Sequence, residues 1–147
     1  MRLITLLSRG VALVAITALP ALAQSGAREP IGTSTATLTP AIRVGNMVYG
    51  SGQLALSRDP ADSTIERQTT LTLDNIKRVF EQAGTRMDLA VRCTVWLTDV
   101  EEFRRMNTVY ASYWPTSPPA RSTVVVKALV VPNAKIEIEC MAVMPPK

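Results

Sequence analysis

Residues 118–126 have the sequence PPARSTVVV, in which an arginine separates a proline-stiffened loop from an apolar, β-branched run. Proline fixes φ and biases the residue before it toward extended geometry, so this loop enters the following strand with few conformations open to it. Arg121 therefore lies on a rigid element, where its planar guanidinium can bind a carboxylate through two parallel hydrogen bonds. An ordinary surface salt bridge is the alternative reading of the same residue.

The periodicity of the apolar residues on either side of this stretch predicts the element order ββ-α-β-α-ββ. Residues 41–49 form a hairpin around Gly45-Asn46, because this pair tolerates the positive φ of a tight turn. A long amphipathic helix has Ser63 as its N-cap, with Glu66 completing a capping box, and ends at Gly84. The remaining elements follow from the same patterns: a strand over residues 91–98, a helix from residue 99 to Pro115, and strands over residues 121–131 and 135–143 joined by a Pro132-Asn133 turn.

This order predicts an α+β fold with one mixed sheet and two helices covering one of its faces. The last strand alternates, with Glu137 and Glu139 on one side and Ile136, Ile138 and Cys140 on the other. In a monomer the glutamates would face water. If that face closes against other subunits instead, a carboxylate in the interface needs a purpose.

The N-terminal 23 residues have the pattern of a cleavable export signal. Arg2 and Arg9 give a basic start, residues 11–19 are apolar, and residues 21–23 have the small-x-small pattern that precedes a cut after Ala23. The apolar run is shorter than the roughly 20 residues that span a bilayer. We expect a periplasmic or secreted protein with no membrane attachment after cleavage, a flexible tail over residues 24–36 and one domain over residues 37–147.

Composition excludes several kinds of chemistry. The chain contains no histidine, which removes Ser-His-Asp and Cys-His catalysis and most zinc sites. The formal net charge of +4 includes the two arginines of the signal, and no basic block remains to bind nucleic acid. No phosphate loop, dinucleotide fingerprint or metal cluster occurs, so we expect neither a metal nor a cofactor.

The two cysteines lie in separate strand-like runs. Cys93 and Cys140 are too far apart in sequence for a metal-ligand motif. In an oxidising compartment they can form a disulfide, whereas two buried free thiols fit the apolar runs equally well. The bridge requires neighbouring strands with Cα atoms within about 7 Å.

Several short motifs, taken in order, resemble the RidA/YjgF family of reactive-intermediate deaminases. They cover nearly all of residues 37–143 and are SGQ at 51–53, TVWLTD at 94–99, FxxMNxxY at 103–110, PARST at 119–123 and IEIE at 136–139. The resemblance implies a chorismate-mutase-like subunit that forms a homotrimer, with the sheets lining a central barrel and three clefts between subunits. The neighbouring subunit would then cover the second face of the sheet.

The resemblance also implies an activity and its residues. Arg121 would bind the carboxylate of a small enamine or imine derived from an amino acid, and Glu137 would orient the water that attacks it, releasing ammonia and a 2-oxo acid. Ser51, Asn107 and Thr123 would line the cleft. Leu38 stands where the family often has a tyrosine that reaches the substrate, and Thr123 stands where many members have cysteine.

Plainer roles remain open for most of these residues. Glu137 can be a structural ion-pair partner, Asn107 a cap, and Ser51 a small residue at a close approach. Two other functions also remain: a non-enzymatic trimer that binds small carboxylates, and an exported chaperone or interaction protein.

Overall fold

The structure, a computed structural model, describes residues 26–57 and 59–146. The predicted signal over residues 1–23 lies outside the described residues and stays a prediction. Seven strands are present, β1 (Arg28–Ile31), β2 (Ala41–Val44), β3 (Met47–Gly50), β4 (Gln53–Leu54), β5 (Ala90–Leu97), β6 (Ala120–Val125) and β7 (Ile136–Val143). The helices are α1 (Ile65–Gln82) and α2 (Phe103–Tyr113), and short 3-10 turns span Pro60–Ser63, Met87–Leu89 and Val100–Glu102.

One mixed sheet contains all seven strands. Its order is β1-β2-β3-β7-β5-β6, and β4 also pairs with β7. Among the described strands only β5 and β6 pair in parallel, and α2 is the crossover helix that such a pair requires. The predicted α+β class, with a mixed sheet and two helices on one face, is confirmed.

The last two strands do not form the predicted hairpin. β6 ends at Val125 instead of near residue 131, and β5 lies between β6 and β7. The N–H of Val126 still donates to the carbonyl of Leu97 at 2.8 Å, and the chain then leaves the sheet. The hairpin prediction was wrong because the α2 crossover places β6 beside β5, so a turn at Pro132-Asn133 does not make its two arms neighbours.

The predicted β2–β3 hairpin and α1 are both present. Gly45 has the positive φ of 59° that the tight turn needs, and Gly84 has a φ of 79° just beyond the end of α1. The N-cap differs by one residue, since the Thr64 side chain, not Ser63, accepts the N–H of Arg67. Ser63 instead ends the preceding 3-10 turn.

The core lies between the helices and one face of the sheet. Leu73 and Phe80 of α1 pack there with alternate residues of β5 and β7, including Val95 and Ile138, and all four side chains are fully buried. Burying apolar surface of this kind supplies most of the free energy that stabilises the fold. The intervening residues of β7 are only half-buried, because they face the side of the sheet without helices.

A disulfide joins the two central strands. Cys93 of β5 and Cys140 of β7 are directly opposite each other, with Cα atoms 4.1 Å apart, and both are buried. Of the two possibilities left by the sequence, the structure therefore has the bridge.

The segment expected to be a flexible tail contains a strand. β1, over Arg28–Ile31, pairs antiparallel with β2, so ordered structure begins before residue 37. Gly32, with a φ of 76°, then turns the chain away from this sheet edge. The low periodicity of residues 24–36 hid a strand that is stabilised by backbone pairing at the edge more than by burial.

Candidate functional site

Arg121 lies on the helix-covered face of the sheet. It is the second residue of β6 and is in register with buried Cys93 of β5. Its guanidinium carbon is 4.5 Å from the centre of the Tyr110 ring and 5.9 Å from that of Phe103, both on α2. These distances are those of cation–π contacts. Within residues 26–57 and 59–146, the guanidinium makes no ion pair or hydrogen bond.

A cavity of about 460 Å³ opens beside this guanidinium. Its walls combine one cation with apolar and aromatic surface and a single amide; the lining residues are Asn107, Tyr110, Ala111, Trp114, Pro118, Pro119 and Arg121. A lone guanidinium in such surroundings suits a small anion with one planar charged group, because it can donate two parallel hydrogen bonds to a carboxylate. The Asn107 side chain makes no hydrogen bond within the described chain and can donate or accept there.

Tyr110 is the most constrained of these lining residues. Its ring centre lies 4.7 Å from that of Trp114, and only 4% of the residue is exposed. Burial raises the pKa of the Tyr110 phenol to about 12, against the opposing effect of the positive charge on Arg121. The group therefore stays neutral at physiological pH, and its hydroxyl has no hydrogen-bond partner among the described residues.

Thr123 lies two residues after Arg121 and therefore on the same face of β6. Its hydroxyl oxygen is buried and has no partner in the described part of the chain. The cavity thus brings together two of the predicted site residues, Arg121 and Asn107, and Thr123 shares the strand face of Arg121 without lining the cavity.

Glu137 lies on the opposite face of the sheet. It pairs with Trp96 of β5 and Leu54 of β4, and its neighbours Ile136 and Ile138 point into the core. Burial raises the pKa of the Glu137 carboxyl above its usual value, and the charge of Glu139 raises it further. The carboxylate thus accepts a proton more readily than an exposed glutamate does.

Gly52 makes room for this carboxylate. A Cβ at Gly52 would overlap the Glu137 carboxylate oxygen and lie 3.0 Å from its Cδ, so any side chain there would displace the carboxylate. The SGQ motif at residues 51–53 does not reveal this role, since spacing does not show which side chain fills the space.

Ser51 and Leu38 lie together in a different hollow. This depression of about 400 Å³ has both residues in its lining, with Arg28 and residues 35–39. The Ser51 hydroxyl donates to the Thr39 carbonyl at 2.6 Å, and Leu38 is 48% exposed. Ser51 therefore has a local structural role, although its oxygen can still accept a hydrogen bond.

Within one chain Ser51 and Leu38 line the separate hollow described above, and the remaining predicted site residues form two groups. The arginine group, Arg121 with Asn107 and Thr123, lies on the helix-covered side, whereas the glutamate group, Glu137 with Gly52, lies on the open side. Sequence reasoning missed Tyr110 as a neighbour of the guanidinium. The spacing of Phe103, Tyr110 and Trp114 on one helical stripe was the available signal, but the same spacing is typical of core packing.

Two negative findings apply to the described residues alone. No group of three or more acidic or cysteine side chains is placed to hold a metal ion there. None of the helices over the same residues has the length and apolarity needed to cross a membrane.

The structure is an α+β fold in which one guanidinium, without an ion-pair partner among the described residues, lies beside a small cavity. A model of the family described as Endoribonuclease L-PSP matches residues 29–144, and the chain belongs to this family, the RidA/YjgF family that its motifs resemble.

Curated relatives and solved structures agree with this assignment. The chain is 38% identical over 107 residues to Reactive Intermediate Deaminase A, chloroplastic, of Arabidopsis thaliana, covering 71% of this chain and 57% of that protein. It is also 38% identical over 106 residues to a RutC family protein of Saccharolobus solfataricus, covering 70% of this chain and 81% of that one. The crystal structure of yeast Mmf1 superposes with a TM-score of 0.75 at 29% identity, over 81% of this chain and all of that one. A Rid family protein from Yersinia pestis gives a TM-score of 0.74 at 35% identity, over 80% and 100%.

Proposed function

We propose that this protein is an exported, homotrimeric deaminase that hydrolyses small 2-imino or enamino acids to 2-oxo acids and ammonia. The observation that carries the proposal is the guanidinium of Arg121, which faces a small cavity without an ion-pair partner among the described residues. The name of the Arabidopsis relative, a reactive intermediate deaminase, supports the reaction class.

Arg121 binds the substrate carboxylate through two hydrogen bonds and so orients the adjacent C=N group. Glu137 orients a water molecule and accepts one of its protons as the oxygen bonds to the imine carbon. That proton passes from Glu137 to the imine nitrogen, which gives a carbinolamine. The carbinolamine hydroxyl then gives its proton, again by way of Glu137, to the amino group. The C–N bond breaks, and ammonia leaves with the electron pair as the C=O bond of the 2-oxo acid forms. The raised pKa of Glu137 suits this proton acceptance.

The trimer is part of this proposal because the two groups of site residues lie on opposite faces of one sheet. Arg121 of one subunit and Glu137 of a neighbour would complete one cleft, with Ser51 and Leu38 beside it. The position of β6 at the edge of the sheet supports such an arrangement. Sedimentation of the mature chain as a monomer would remove the shared cleft and, with it, this mechanism.

Export is supported by the pattern of residues 1–23 and by the Cys93–Cys140 bridge, since disulfides persist mainly in oxidising compartments. Fusion of residues 1–30 to a reporter that is active only outside the cytoplasm tests this point. A signal confined to the cytoplasm would argue against export.

The test of the activity generates 2-imino acids from several amino acids with an amino-acid oxidase and traps the remaining imine as its semicarbazone. An active protein lowers the semicarbazone yield, and Arg121→Ala abolishes that effect. No effect of the wild-type protein on any parent amino acid would contradict the enzyme. If the inactive wild-type protein still binds carboxylates and Arg121→Ala does not, a non-enzymatic binding trimer is favoured. If Arg121→Ala changes neither the semicarbazone yield nor carboxylate binding, a chaperone or interaction protein is favoured.

An RNA substrate belongs in the same experiment, because the description of the family model names an endoribonuclease. We expect no cleavage by this chain, since Arg121 is the only charged residue among the described ones that line the cavity, and a polyanionic strand requires several cations. RNA cleavage that disappears in Arg121→Ala would overturn the proposed reaction.

A further inference from the structure

Four arginines among the described residues are held in two different ways. Arg67 pairs with Asp62 at 2.6 Å and Arg86 with Asp88 at 2.7 Å, and Arg105 binds both carboxylate oxygens of Glu66. Each of these guanidinium groups donates hydrogen bonds to a carboxylate of the protein, and those N–H groups are then not available to a ligand. Arg121 instead contacts the ring faces of Tyr110 and Phe103.

This difference determines what each arginine can still bind. A guanidinium has five N–H donors in its plane, and a carboxylate partner occupies up to two of them. An aromatic ring attracts the same cation through its face and uses none of them. Aromatic contacts therefore hold Arg121 in place while leaving its hydrogen-bonding edge for a ligand.

The nearer ring is itself held firmly. The Tyr110 ring packs at a tilt of 38° against Trp114, whose indole N–H donates to the Met87 carbonyl at 2.7 Å. Trp114 and Tyr110 are both buried, so the ring has little freedom to follow a moving guanidinium. Met87, Trp114, Tyr110 and Arg121 thus form a continuous series of contacts from the turn before β5 to the cavity.

We propose that Tyr110, supported by Trp114, is a positioning residue that orients the Arg121 guanidinium for carboxylate binding through its ring face and not through its hydroxyl. This inference rests on the proposed function, because it explains how the carboxylate-binding arginine is oriented before the substrate arrives. Such preorganisation improves affinity by reducing the entropy lost on binding. Phe103, farther away and 37% exposed, makes a smaller contribution of the same kind.

The experiment compares two substitutions of Tyr110. Tyr110→Leu removes the ring face and should weaken pyruvate binding, measured by calorimetry, about tenfold, and raise KM similarly with kcat changed less. Tyr110→Phe restores the ring without the hydroxyl and should recover affinity to within about threefold of wild type. Phe80→Leu is the matched control, because it removes a buried ring from α1, away from the cavity, and should leave pyruvate affinity unchanged.

The possible outcomes separate this inference from the proposed function. Pyruvate binding that survives Arg121→Ala overturns both. Binding that Arg121→Ala abolishes but folded Tyr110→Leu retains at wild-type affinity overturns the positioning role alone, as does a Tyr110→Phe variant as weak as Tyr110→Leu. If Tyr110→Leu does not fold, Phe103→Leu decides, with a weakening of about threefold expected and an unchanged affinity contradicting the inference.

Discussion

The two faces of the sheet hold their key charges in opposite ways. On the helix-covered face, Arg121 is supported by aromatic rings. On the open face, Glu137 lies against Gly52, and burial, with the charge of Glu139 adding to it, raises the pKa of its carboxyl. The aromatic rings attract the Arg121 guanidinium without occupying its N–H donors. The surroundings of Glu137, in contrast, favour the uptake of a proton by its carboxylate.

This separation keeps both groups available for a third molecule. An arginine and a glutamate on the same face could pair and neutralise each other, as Arg105 and Glu66 do between the two helices. The sheet prevents that pairing between Arg121 and Glu137 within one chain. The binding group and the proton acceptor should therefore respond differently to substitution, and the following predictions test that difference.

The largest effect is expected for Arg121→Ala. Loss of two charge-assisted hydrogen bonds to the substrate carboxylate should lower kcat/KM roughly 10²–10³-fold. Arg105→Ala is the matched control on the same side of the molecule, since its guanidinium already pairs with Glu66 at the surface. It should change kcat/KM less than twofold or so and the free energy of unfolding by at most about 1 kcal/mol. Equal losses in the two variants would show that Arg121 has no special role.

Glu137→Gln should reduce kcat by roughly 10²-fold, because the amide cannot accept the proton of the attacking water. Pyruvate affinity should remain close to that of wild type, since the carboxylate is bound by the arginine group. Steady-state kinetics and calorimetry on the same preparation measure the two quantities. A loss of pyruvate affinity as large as the loss of kcat would show that Glu137 binds the ligand together with Arg121, which would contradict separate roles for the two residues.

Gly52→Ala should lower kcat by about tenfold, since the new Cβ displaces the Glu137 carboxylate without removing it. In the Glu137→Gln background the same substitution should have a smaller effect, because the group it displaces has already lost its function. If the fold-losses in kcat of the two single substitutions simply multiply in the double mutant, Gly52 does not act through the Glu137 carboxylate.

The smallest effect concerns stability. The folded protein binds a proton at Glu137 more tightly than the unfolded chain does, because the pKa of this carboxyl is raised on folding. The free energy of unfolding therefore falls as the pH rises from the ordinary pKa of 4.5 through the raised pKa of the folded state. Glu137→Gln should therefore be slightly more stable than wild type at pH 7, by less than about 1 kcal/mol, with the advantage disappearing below pH 4 or so. Chemical denaturation at the two pH values measures it, and an advantage that persists at low pH would argue for a packing effect instead.

Local signals in the sequence predicted much of the fold. The Gly45-Asn46 turn, the apolar stripe of α1 and the alternation of β7 each depend on residues near one another in the chain. The strand that pairs with β6 could not be predicted from such local signals. A β-branched run before Pro132-Asn133 is compatible with a hairpin arm or with a crossover strand. Only the packing of α2 on the sheet selects between them.

The residues of the site were predictable from their motifs, but their arrangement was not. Arg121 and Glu137 lie in separate motifs, and no periodicity shows that β5 lies between their strands with the two side chains on opposite faces. The contact of the Tyr110 ring with the Arg121 guanidinium could not be predicted either. An aromatic residue on a helical stripe indicates core packing whether or not a cation contacts its face.

The Cys93–Cys140 bridge has a consequence for the connectivity of the chain. The residues it spans, 47 apart in sequence, include α2, β6 and Glu137, and so most of the proposed catalytic machinery lies within one covalent ring. Closing a ring of this size restricts the unfolded chain by about 4 kcal/mol in the simple entropic description. Val130, which is 90% exposed, lies between β6 and β7 inside that ring. A protease that cuts there would open the backbone yet leave one molecule, whose two fragments separate only after reduction.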